Sequence, residues 1–363
     1  MNAPRNDLLD PTLPMPDVEV ETPCFVIDEA AVEHNLKVTA ELAGGVNRLS
    51  PHVKTHRSPW IVRMLVENGV SAFKTATPRE VEMVLENGAK EAIWSYPTPG
   101  MAAIRRVIAA ADTYPDAIVT GLVDSDLGLD TWLNELKSAK HPNVTLRVDI
   151  DPGMGRTGIP IGDSALALAA RVHKAGIFAG WHCYDGHIQD ADPAVRESRL
   201  LAILEQLNAM FVQAEKQGLS TDIVGGGSWT YPFWAKHTKA RVSPGSWTYS
   251  SSQHQVDLAQ YGWKVGAYVL STVLSQHGET LTLDAGSKAI APDIPMDKRF
   301  FGADQIVGMK EEHTIATAAN MSPGDRVALV PRHACTTAYL YRRALVLTKS
   351  GKWEYRDQLG CER

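Results

Sequence analysis

Short apolar segments alternate with helix-like segments from about residue 24 to about residue 250. Roughly eight or nine apolar segments occur there, among them 92–96, 117–123 and 144–150. Helix signals lie between them; Thr77-Pro78-Arg79-Glu80 is a capping box with proline at the first helical position. Repeated strand–helix units predict an α/β fold with a parallel sheet. Their number and length favour a closed (β/α)8 TIM barrel, and no G-x-G-x-x-G motif follows the first segment to support a doubly wound sheet.

The region beyond about residue 256 differs from the rest of the chain. Apolar segments at 268–274, 280–283, 326–330 and 344–347 are joined by turns, with little helix between them. We therefore predict a barrel domain over residues 22–255 and a second, mostly β domain over residues 256–363. Residues 1–21 are predicted to be an N-terminal segment that can add a strand to the β domain.

The charge and cysteine content exclude several classes of protein. The chain of 363 residues carries 36 Lys and Arg against 42 Asp and Glu, a net charge of −6 without long runs of one sign. This distribution argues against nucleic acid or an anionic membrane surface as a partner. The four cysteines are widely spaced, which favours a reducing compartment. No secretory signal or membrane-spanning segment is visible, so we expect a soluble, cytoplasmic protein.

A lysine lies between two histidines in the segment 50–56. If this segment is a strand, its period of two places His52, Lys54 and His56 on one face. An amine that is desolvated or close to other cations has a lowered pKa and can form a Schiff base. A lone lysine at a strand end more often extends its amine into solvent, so features elsewhere must decide.

Further candidates follow the ends of the predicted barrel strands, where the active sites of such barrels lie. Glycine turns at 225–228 and 245–246 offer backbone amides to a phosphate, although either turn alone is equally consistent with a plain tight turn. Two such turns on late strands, with a lysine on an early one, predict a phosphate-bearing aldehyde cofactor, pyridoxal 5′-phosphate (PLP). The single residues selected by the same rule are Lys54, Arg156, His182 and Tyr184.

A metal-binding motif is predicted in the β domain. His333 and Cys335 lie at the end of a predicted strand, where His-x-Cys at strand spacing places an imidazole and a thiolate on one face. Such a pair suits zinc. Two ligands alone are a weak signal, and a buried cysteine beside a capping histidine is the plainer interpretation. The segment 311–313, Glu-Glu-His, can complete such a site or form a polar strand end.

Together these features resemble the fold type III PLP enzymes, and among them the D-threonine aldolase / D-serine dehydratase family with its alanine racemase-like barrel. The resemblance covers nearly the whole chain from Thr22-Pro23 onward. Its order and spacing identify the chain as a member of this family. The matching segments are 22–28, 51–56, 151–158, 184–186, 225–228, 244–246, 284–286, 311–313 and 333–335.

The resemblance implies a role for each matching residue. Lys54 would bind PLP covalently and serve as the Cα base, and Arg156 would face the pyridine nitrogen and keep it unprotonated. His333 and Cys335 would bind a divalent ion, zinc with manganese or magnesium as alternatives, that acts on the substrate β-hydroxyl as a Lewis acid. The other implied site residues are catalytic His52, His56 and Tyr184, then Tyr184 and Gln189 near the cofactor ring, and Gly226, Gly227, Ser228, Gly245 and Ser246 for its binding.

The use of the metal separates two reactions in the family. Loss of the β-oxygen after Cα deprotonation gives a 2-oxo acid and ammonia, whereas deprotonation of the hydroxyl breaks the Cα–Cβ bond to glycine or another amino acid and an aldehyde or 2-oxo acid. The His-x-Cys pair resembles the dehydratase branch, since the aldolase branch more often has a carboxylate at the position of Cys335. We therefore expect a lyase of D-3-hydroxy amino acids that leans toward dehydration of D-serine or D-threo-3-hydroxyaspartate, with D-threonine aldolase-type cleavage as the alternative.

Other interpretations stay open at this point. An amino-acid racemase needs a second base and no metal, so the His-x-Cys pair argues against it, and a non-catalytic PLP-binding carrier resembles the barrel alone. In a third interpretation, Lys54 has only a structural role in the barrel and the glycines only form turns. Trp229, Trp247 and His254 leave the substrate side chain undetermined, and Arg342 or Arg343 could bind a β-carboxylate, although a solvated arginine is plainer. The resemblance also implies a homodimer.

Overall fold

The computed structural model describes residues 13–140, 143–318 and 320–363. Residues 1–12 of the predicted N-terminal segment lie outside the described residues. The chain divides into two compact units: one contains the residues up to 39, 55–60 and 246–362, and the other contains 40–54, 61–245 and 363. These units differ from the ranges 22–255 and 256–363, which stay a prediction about domains.

The second unit is an α/β unit whose strands and helices alternate. Its strands are β2 (Ala72–Thr75), β3 (Glu91–Trp94), β4 (Ile118–Val123), β5 (Val144–Asp151), β6 (Ile159–Pro160), β7 (Phe178–Cys183), β8 (Ile223–Gly225) and β9 (Arg241–Val242). Its helices are α2 (Pro59–Glu67), which begins at the unit boundary, α3 (Pro78–Glu86), α4 (Met101–Thr113), α5 (Asp126–Leu136), α6 (Asp163–Lys174), α7 (Pro193–Lys216) and α8 (Tyr231–His237).

The strands of this unit form a closed parallel barrel. The sheet runs in the order β2-β3-β4-β5-β7-β8-β9, with β6 paired to β5. The segment 49–52 stands between its two edges, because Leu49 pairs with Val242 and His52 pairs with Lys74. The amide of Ser50 donates to the carbonyl of Val242 at 2.8 Å. The predicted (β/α)8 barrel is therefore confirmed, with segment 49–52 completing the ring.

The start of α3 shows how local sequence sets these helices. Thr77 accepts a hydrogen bond from the amide of Glu80 at 3.2 Å, and the Glu80 carboxylate accepts one from the amide of Ala76 at 2.7 Å. Pro78 occupies the first turn, where its missing N–H costs nothing. The predicted capping box is confirmed, and it fixes where the chain leaves β2.

The other unit is mostly β. Its strands are β1 (Cys24–Asp28), β10 (Ala267–His277), β11 (Thr280–Leu283), β12 (Phe300–Phe301), β13 (Gln305–Met309), β14 (Thr314–Thr317), β15 (Arg326–Pro331), β16 (Arg343–Leu347) and β17 (Trp353–Asp357). Its helices are α9 (Ser252–Asp257) and α10 (Ala334–Ala338), and α1 (Glu29–Ala43) begins in it. The sheet order is β13-β14-β11-β10-β1-β16-β17, with β15 paired to β10 and β12.

Strand β1 corrects the sequence prediction. The strand itself forms as predicted, but it pairs antiparallel with β10 and parallel with β16, not with a barrel strand. Residues Cys24 to Ile27 are all buried, and a continuous apolar run carries no information about which sheet covers it. The described residues 13–21 form no strand, although the Arg326 guanidinium donates to the carbonyl of Val18 at 3.1 Å. Within the described ranges no helix is both long enough and apolar enough to span a bilayer.

Candidate active site

A cavity of about 370 Å³ lies at the ends of barrel strands β2, β3, β5 and β7. Among the described residues, Asp149 is the acidic member of its lining. The basic residues that line it are His52, Lys54, Lys74, Arg156 and His182. Because cations outnumber the carboxylate, the cavity suits an anionic ligand.

The lysine segment is not a strand beyond His52. Residues Val53–Thr55 form a 3₁₀ helix, which turns successive side chains by about 120° and so separates residues that a strand would align. His52 and Lys54 still line the cavity, and His56 does not. His56 is buried and accepts a hydrogen bond from the amide of Ser58 at 3.1 Å. The expected single face is therefore wrong, and a catalytic role for His56 is a prediction without support from the cavity.

His182 is a buried, neutral imidazole in the lining of the cavity. Its Nδ1 lies 2.6 Å from Asp149 Oδ1, and Thr157 donates to the other Asp149 oxygen at 3.1 Å. Burial, with a contribution from Lys74, lowers the pKa of His182 to about 4. Because Nδ1–H donates to the carboxylate, Nε2 is an acceptor, and it has no protein partner among the described residues.

His52 is neutral as well. Burial, followed by the charges of Lys54 and Lys74, lowers its pKa well below the usual value. Its Nδ1 accepts the amide N–H of Lys54 at 3.3 Å, which ties the lysine backbone to the imidazole. The implied roles of His52 and Lys54 remain predictions, and the structure places both side chains at one cavity.

Lys74 is a site residue that the sequence analysis missed. It is 3% exposed, and its Nζ lies 3.3 Å from Ser243 Oγ and 5.0 Å from the centroid of the Tyr184 ring. Burial, followed by the charge of Lys54, lowers the pKa of Lys74 to about 7. Lys74 lies near the end of β2, so the strand-end rule that selected Lys54 would also have selected it.

Tyr184 and Arg156 lie together in the lining of the cavity. The guanidinium carbon of Arg156 lies 5.0 Å from the centroid of the Tyr184 ring, within the range of a cation–π contact. Gln189 instead donates to the carbonyl of Gly186 at 2.9 Å and is not part of the lining. The orientation of these residues toward a cofactor ring stays a prediction.

The glycine turn after β8 leaves no room for side chains. Gly226 has φ +74°, and a Cβ there would lie 2.8 Å from Trp234 Cδ1. A Cβ on Gly227 would lie 3.0 Å from the Tyr184 ring. The Trp234 indole N–H donates to Asp185 at 2.8 Å, which fixes the wall behind the turn. Bare backbone beside a cationic cavity fits a phosphate-bearing ligand.

The other predicted phosphate residues lie directly after this turn and at the end of the barrel unit. Ser228 is buried directly after the glycine turn. Gly245 ends the barrel unit, and Ser246 begins a 3₁₀ helix at Ser246–Thr248. Their contact with a phosphate remains a prediction.

Replacing Gly226 with alanine is expected to destabilise the protein by about 2–3 kcal/mol, since left-handed backbone costs a non-glycine residue roughly 1–2 kcal/mol and crowding adds to it. Urea denaturation of the PLP-free protein measures the effect. Gly176→Ala is the matched control, because Gly176 has φ +78° but no atom lies within 4 Å of the position that a Cβ would take there. Equal losses for both variants would show that Trp234 does not crowd the turn.

The His-x-Cys pair lies at a helix start and not on a strand. Strand β15 ends at Pro331, His333 is the N-cap of α10, and Cys335 lies in the first turn. The strand-spacing argument is therefore wrong, yet the helix start still brings the side chains together, since a hydrogen bond that His333 donates to Cys335 raises the pKa of His333. Burial is the largest single effect and lowers the pKa of His333. The contributions of Cys335 and Asp293 together exceed that of burial and raise the pKa to about 9.

The surroundings of this pair fit a divalent metal with few protein ligands. His333 Nδ1 lies 2.5 Å from Asp293 Oδ2, the carboxylate–histidine arrangement that orients metal-binding imidazoles through their other nitrogen. Cys335 Sγ lies 3.2 Å from Thr55 Oγ1. Imidazole and thiolate together favour zinc. No cluster of three or more His, Cys, Asp or Glu in metal-binding geometry occurs in the described ranges, so two protein ligands would leave positions for ligand oxygens.

Several other predicted residues have protein partners. Glu311 and Glu312 pair with Lys288 Nζ at 2.9 and 3.0 Å, which favours the interpretation of this segment as a polar strand end. Arg342 pairs with Glu362 at 2.8 Å, and Arg343 lies 4.6 Å from the Tyr355 ring centroid, which favours the plainer interpretation of both arginines. The lining of the cavity does not include the remaining three residues, Trp229, Trp247 and His254.

Two family models match the chain. Residues 27–253 match the model described as "Alanine racemase, N-terminal domain". Residues 266–347 match the model described as "Putative serine dehydratase domain". The first match contains the barrel strands, and the second contains His333 and Cys335.

Similar proteins and structures share this architecture over nearly their whole length. The 3-hydroxy-D-aspartate aldolase of Paracoccus denitrificans (strain Pd 1222) is 25% identical over 351 residues, which cover 91% of this chain and 90% of that protein. The crystal structure of D-threonine aldolase from Filomicrobium marinum has a TM-score of 0.83 at 23% identity, covering 93% of this chain and 95% of that one. D-threo-3-hydroxyaspartate dehydratase from Delftia sp. HT23 has a TM-score of 0.78 at 19% identity, covering 94% and 98%.

Proposed function

Because the chain belongs to the family of the alanine racemase N-terminal domain, we propose that it is a PLP- and divalent-metal-dependent lyase of D-3-hydroxy amino acids. We propose further that it acts as a dehydratase and forms a 2-oxo acid and ammonia. The observation that carries the proposal is the convergence of Lys54, Lys74 and Arg156 on one cavity at the barrel strand ends. A cationic cavity with two lysines suits a ligand that is both an anion and an aldehyde.

The residues of the chain divide the work at this cavity. Lys54 supplies the amine for covalent attachment and takes the proton from the substrate Cα. PLP, when bound, withdraws electrons from that carbon. The His182 Nε2 acceptor can bind a hydroxyl or N–H of the ligand, and Asp149 holds its ring in the required tautomer.

His333 and Cys335 would hold the divalent ion, which supplies Lewis-acid chemistry at an oxygen. Asp293 orients the His333 ring, and the thiolate reduces the net charge of the site. Cys335 is the reason for the preference for dehydration, since the aldolase branch more often has a carboxylate at this position.

Retro-aldol cleavage is the second candidate. It is favoured by the relative from Paracoccus denitrificans, which is named as an aldolase and matches 91% of this chain. Both reactions begin from the same class of substrate, so the cavity alone does not separate them. A racemase is a weaker candidate because the His-x-Cys site would then have no use.

The test is a product assay on protein reconstituted with PLP and with zinc or manganese. An absorbance band near 420 nm is the expected sign of a lysine-bound cofactor, and a protein that stays colourless contradicts the proposal. D-serine, D-threonine, D-phenylserine and D-threo-3-hydroxyaspartate are then assayed for ammonia and glycine in parallel. Ammonia with a 2-oxo acid supports the dehydratase, glycine with an aldehyde or glyoxylate supports the aldolase, and interconversion of D- and L-forms alone supports the racemase.

The family resemblance also leads us to propose a homodimer. Light scattering coupled to size exclusion measures the mass directly. A mass near twice the 39.6 kDa of the chain is expected, and a mass near that of one chain contradicts the proposal.

A further inference from the structure

Lys74 is a buried amine with little local compensation. It is 3% exposed, and its Nζ has Ser243 Oγ as a neutral hydrogen-bond partner at 3.3 Å. An ammonium taken out of water costs several kcal/mol unless an anion or hydrogen bonds replace its hydration. A structural lysine would therefore be expected to have a carboxylate at hand.

The two carboxylates that raise the pKa of Lys74 accept hydrogen bonds from other donors, and neither forms an ion pair with its amine, although the second oxygen of Asp185 has no partner in the described ranges. Asp149 accepts from His182 and Thr157, and Asp185 accepts from the Trp234 indole. Like charges surround the amine as well, since Lys54 and Arg156 line the same cavity. Among the described residues no carboxylate forms an ion pair with Lys74, so its position suits an anionic ligand.

We propose that Lys74 is a cofactor-binding residue whose ammonium pairs with an anionic oxygen of the phosphorylated pyridine cofactor, while Lys54 supplies the amine for covalent attachment. This inference rests on the proposed function, because it assumes that the cavity binds such a cofactor. It assigns the two lysines to separate tasks, one chemical and one electrostatic.

The position of Lys74 supports this division. Its partner Ser243 donates to the carbonyl of Gly226 at 3.0 Å, so the amine lies one hydroxyl away from the predicted phosphate turn. Lys74 also lies 5.0 Å from the Tyr184 ring centroid, and a Cβ on Gly227 would reach that same ring. Two anionic groups of the cofactor are candidates for the partner, the phosphate and the phenolate of the ring.

Charge regulation fits the same assignment. Burial and then Lys54 lower the pKa of Lys74 to about 7, whereas Asp149 and Asp185 raise it and Arg156 lowers it further. His52 and His182, which face it from the barrel, are neutral. The PLP-free protein thus holds an amine that is only partly protonated near neutral pH, and an arriving anion would draw the proton onto it.

The first experiment measures binding without covalent chemistry. Pyridoxine 5′-phosphate has an alcohol in place of the aldehyde, so its affinity reports only noncovalent contacts. Lys74→Gln is expected to weaken its binding about 10- to 100-fold, as for loss of a charge-assisted hydrogen bond, and Lys74→Arg to restore part of it. Lys174→Gln is the matched control, because Lys174 is exposed at the end of α6. The affinity of this variant for pyridoxine 5′-phosphate should equal that of wild type.

Two fragments identify the oxygen. If the loss in Lys74→Gln recurs with inorganic phosphate, Lys74 pairs with the phosphate; if it recurs with pyridoxine, it pairs with the ring oxygen. Equal affinity of wild type and Lys74→Gln for pyridoxine 5′-phosphate would overturn the inference. A wild-type protein that binds neither this ligand nor PLP would instead refute the proposed function.

The second experiment separates a ligand-binding lysine from a structural one. In the PLP-free protein, the native state favours the neutral amine between the lowered pKa and the ordinary pKa of lysine, while the unfolded chain stays protonated. Stability should therefore fall as the pH is lowered from about 10 to about 7, and this slope should be smaller in Lys74→Met. Near pH 7, Lys74→Met should have an equal or higher midpoint of urea unfolding than wild type. A lowered midpoint would show that the amine is structural and would contradict the inference.

Discussion

Replacing Lys54 with alanine is expected to abolish the absorbance band near 420 nm and to lower turnover by roughly 10³-fold or more, because the covalent nucleophile and the Cα base are removed together. The lysine lines the cavity from a 3₁₀ helix, and its side chain is exposed in the structure, so its loss leaves the core unchanged. The midpoint of urea unfolding of the PLP-free variant should therefore match that of wild type.

Borohydride reduction followed by peptide mass mapping decides which lysine carries the cofactor. In wild type the reduced adduct is expected on Lys54. In Lys54→Ala no adduct is expected on the peptide that contains position 54 or on the peptide that contains Lys74. Lys174→Ala is the control for removal of an exposed amine. An adduct on Lys74 in wild type would reverse the assignment of the two lysines.

Replacing Cys335 with serine is expected to lower metal content and lyase turnover together, by about 100-fold or more in turnover, while the 420 nm band of added PLP persists. The reason is that a thiolate is a far stronger zinc ligand than a hydroxyl. Cys361→Ser is the matched control because Cys361 is exposed. Metal is measured by elemental analysis of protein dialysed against a chelator and then reloaded with zinc.

Asp293 extends the same prediction to the residue that orients His333. Asp293→Asn is expected to weaken metal affinity about 10- to 100-fold, the range seen when such supporting carboxylates are removed. Full turnover in chelator-treated Cys335→Ser would show that the reaction needs no ion at this site. In that event the role proposed for His333 and Cys335 would be wrong.

The barrel was predictable because its signals are local. The apolar period, the glycine stops and the capping box at Thr77 each depend on neighbours in sequence, and the helices that follow are where they were expected. The sheet that receives Cys24–Asp28 was not predictable, because a run buried on both faces fits either sheet. Only pairing with distant β10 and β16 distinguishes them.

The site was predictable in its residues more than in its geometry. The strand-end rule found Lys54, Arg156, His182 and Tyr184, and all four line one cavity. The same rule also fits Lys74 near the end of β2, but the sequence does not show that this lysine is buried or that it lies 3.3 Å from Ser243. The sequence does not show whether a lysine side chain is solvated or buried.

Sequence alone determined most of the segments that become strands and helices, which family the chain resembles, and which residue types are present for the chemistry. Tertiary structure decided the rest: that segment 49–52 completes the barrel, that the lysine and His-x-Cys motifs lie in helical turns, and that His56 is outside the cavity. The physical reason is that local patterning depends on near neighbours, whereas burial, charge coupling and pKa depend on groups far apart in the chain. Lys74 is the clearest case, since its pKa is set first by burial and then by the charges of Lys54, Asp149, Arg156 and Asp185.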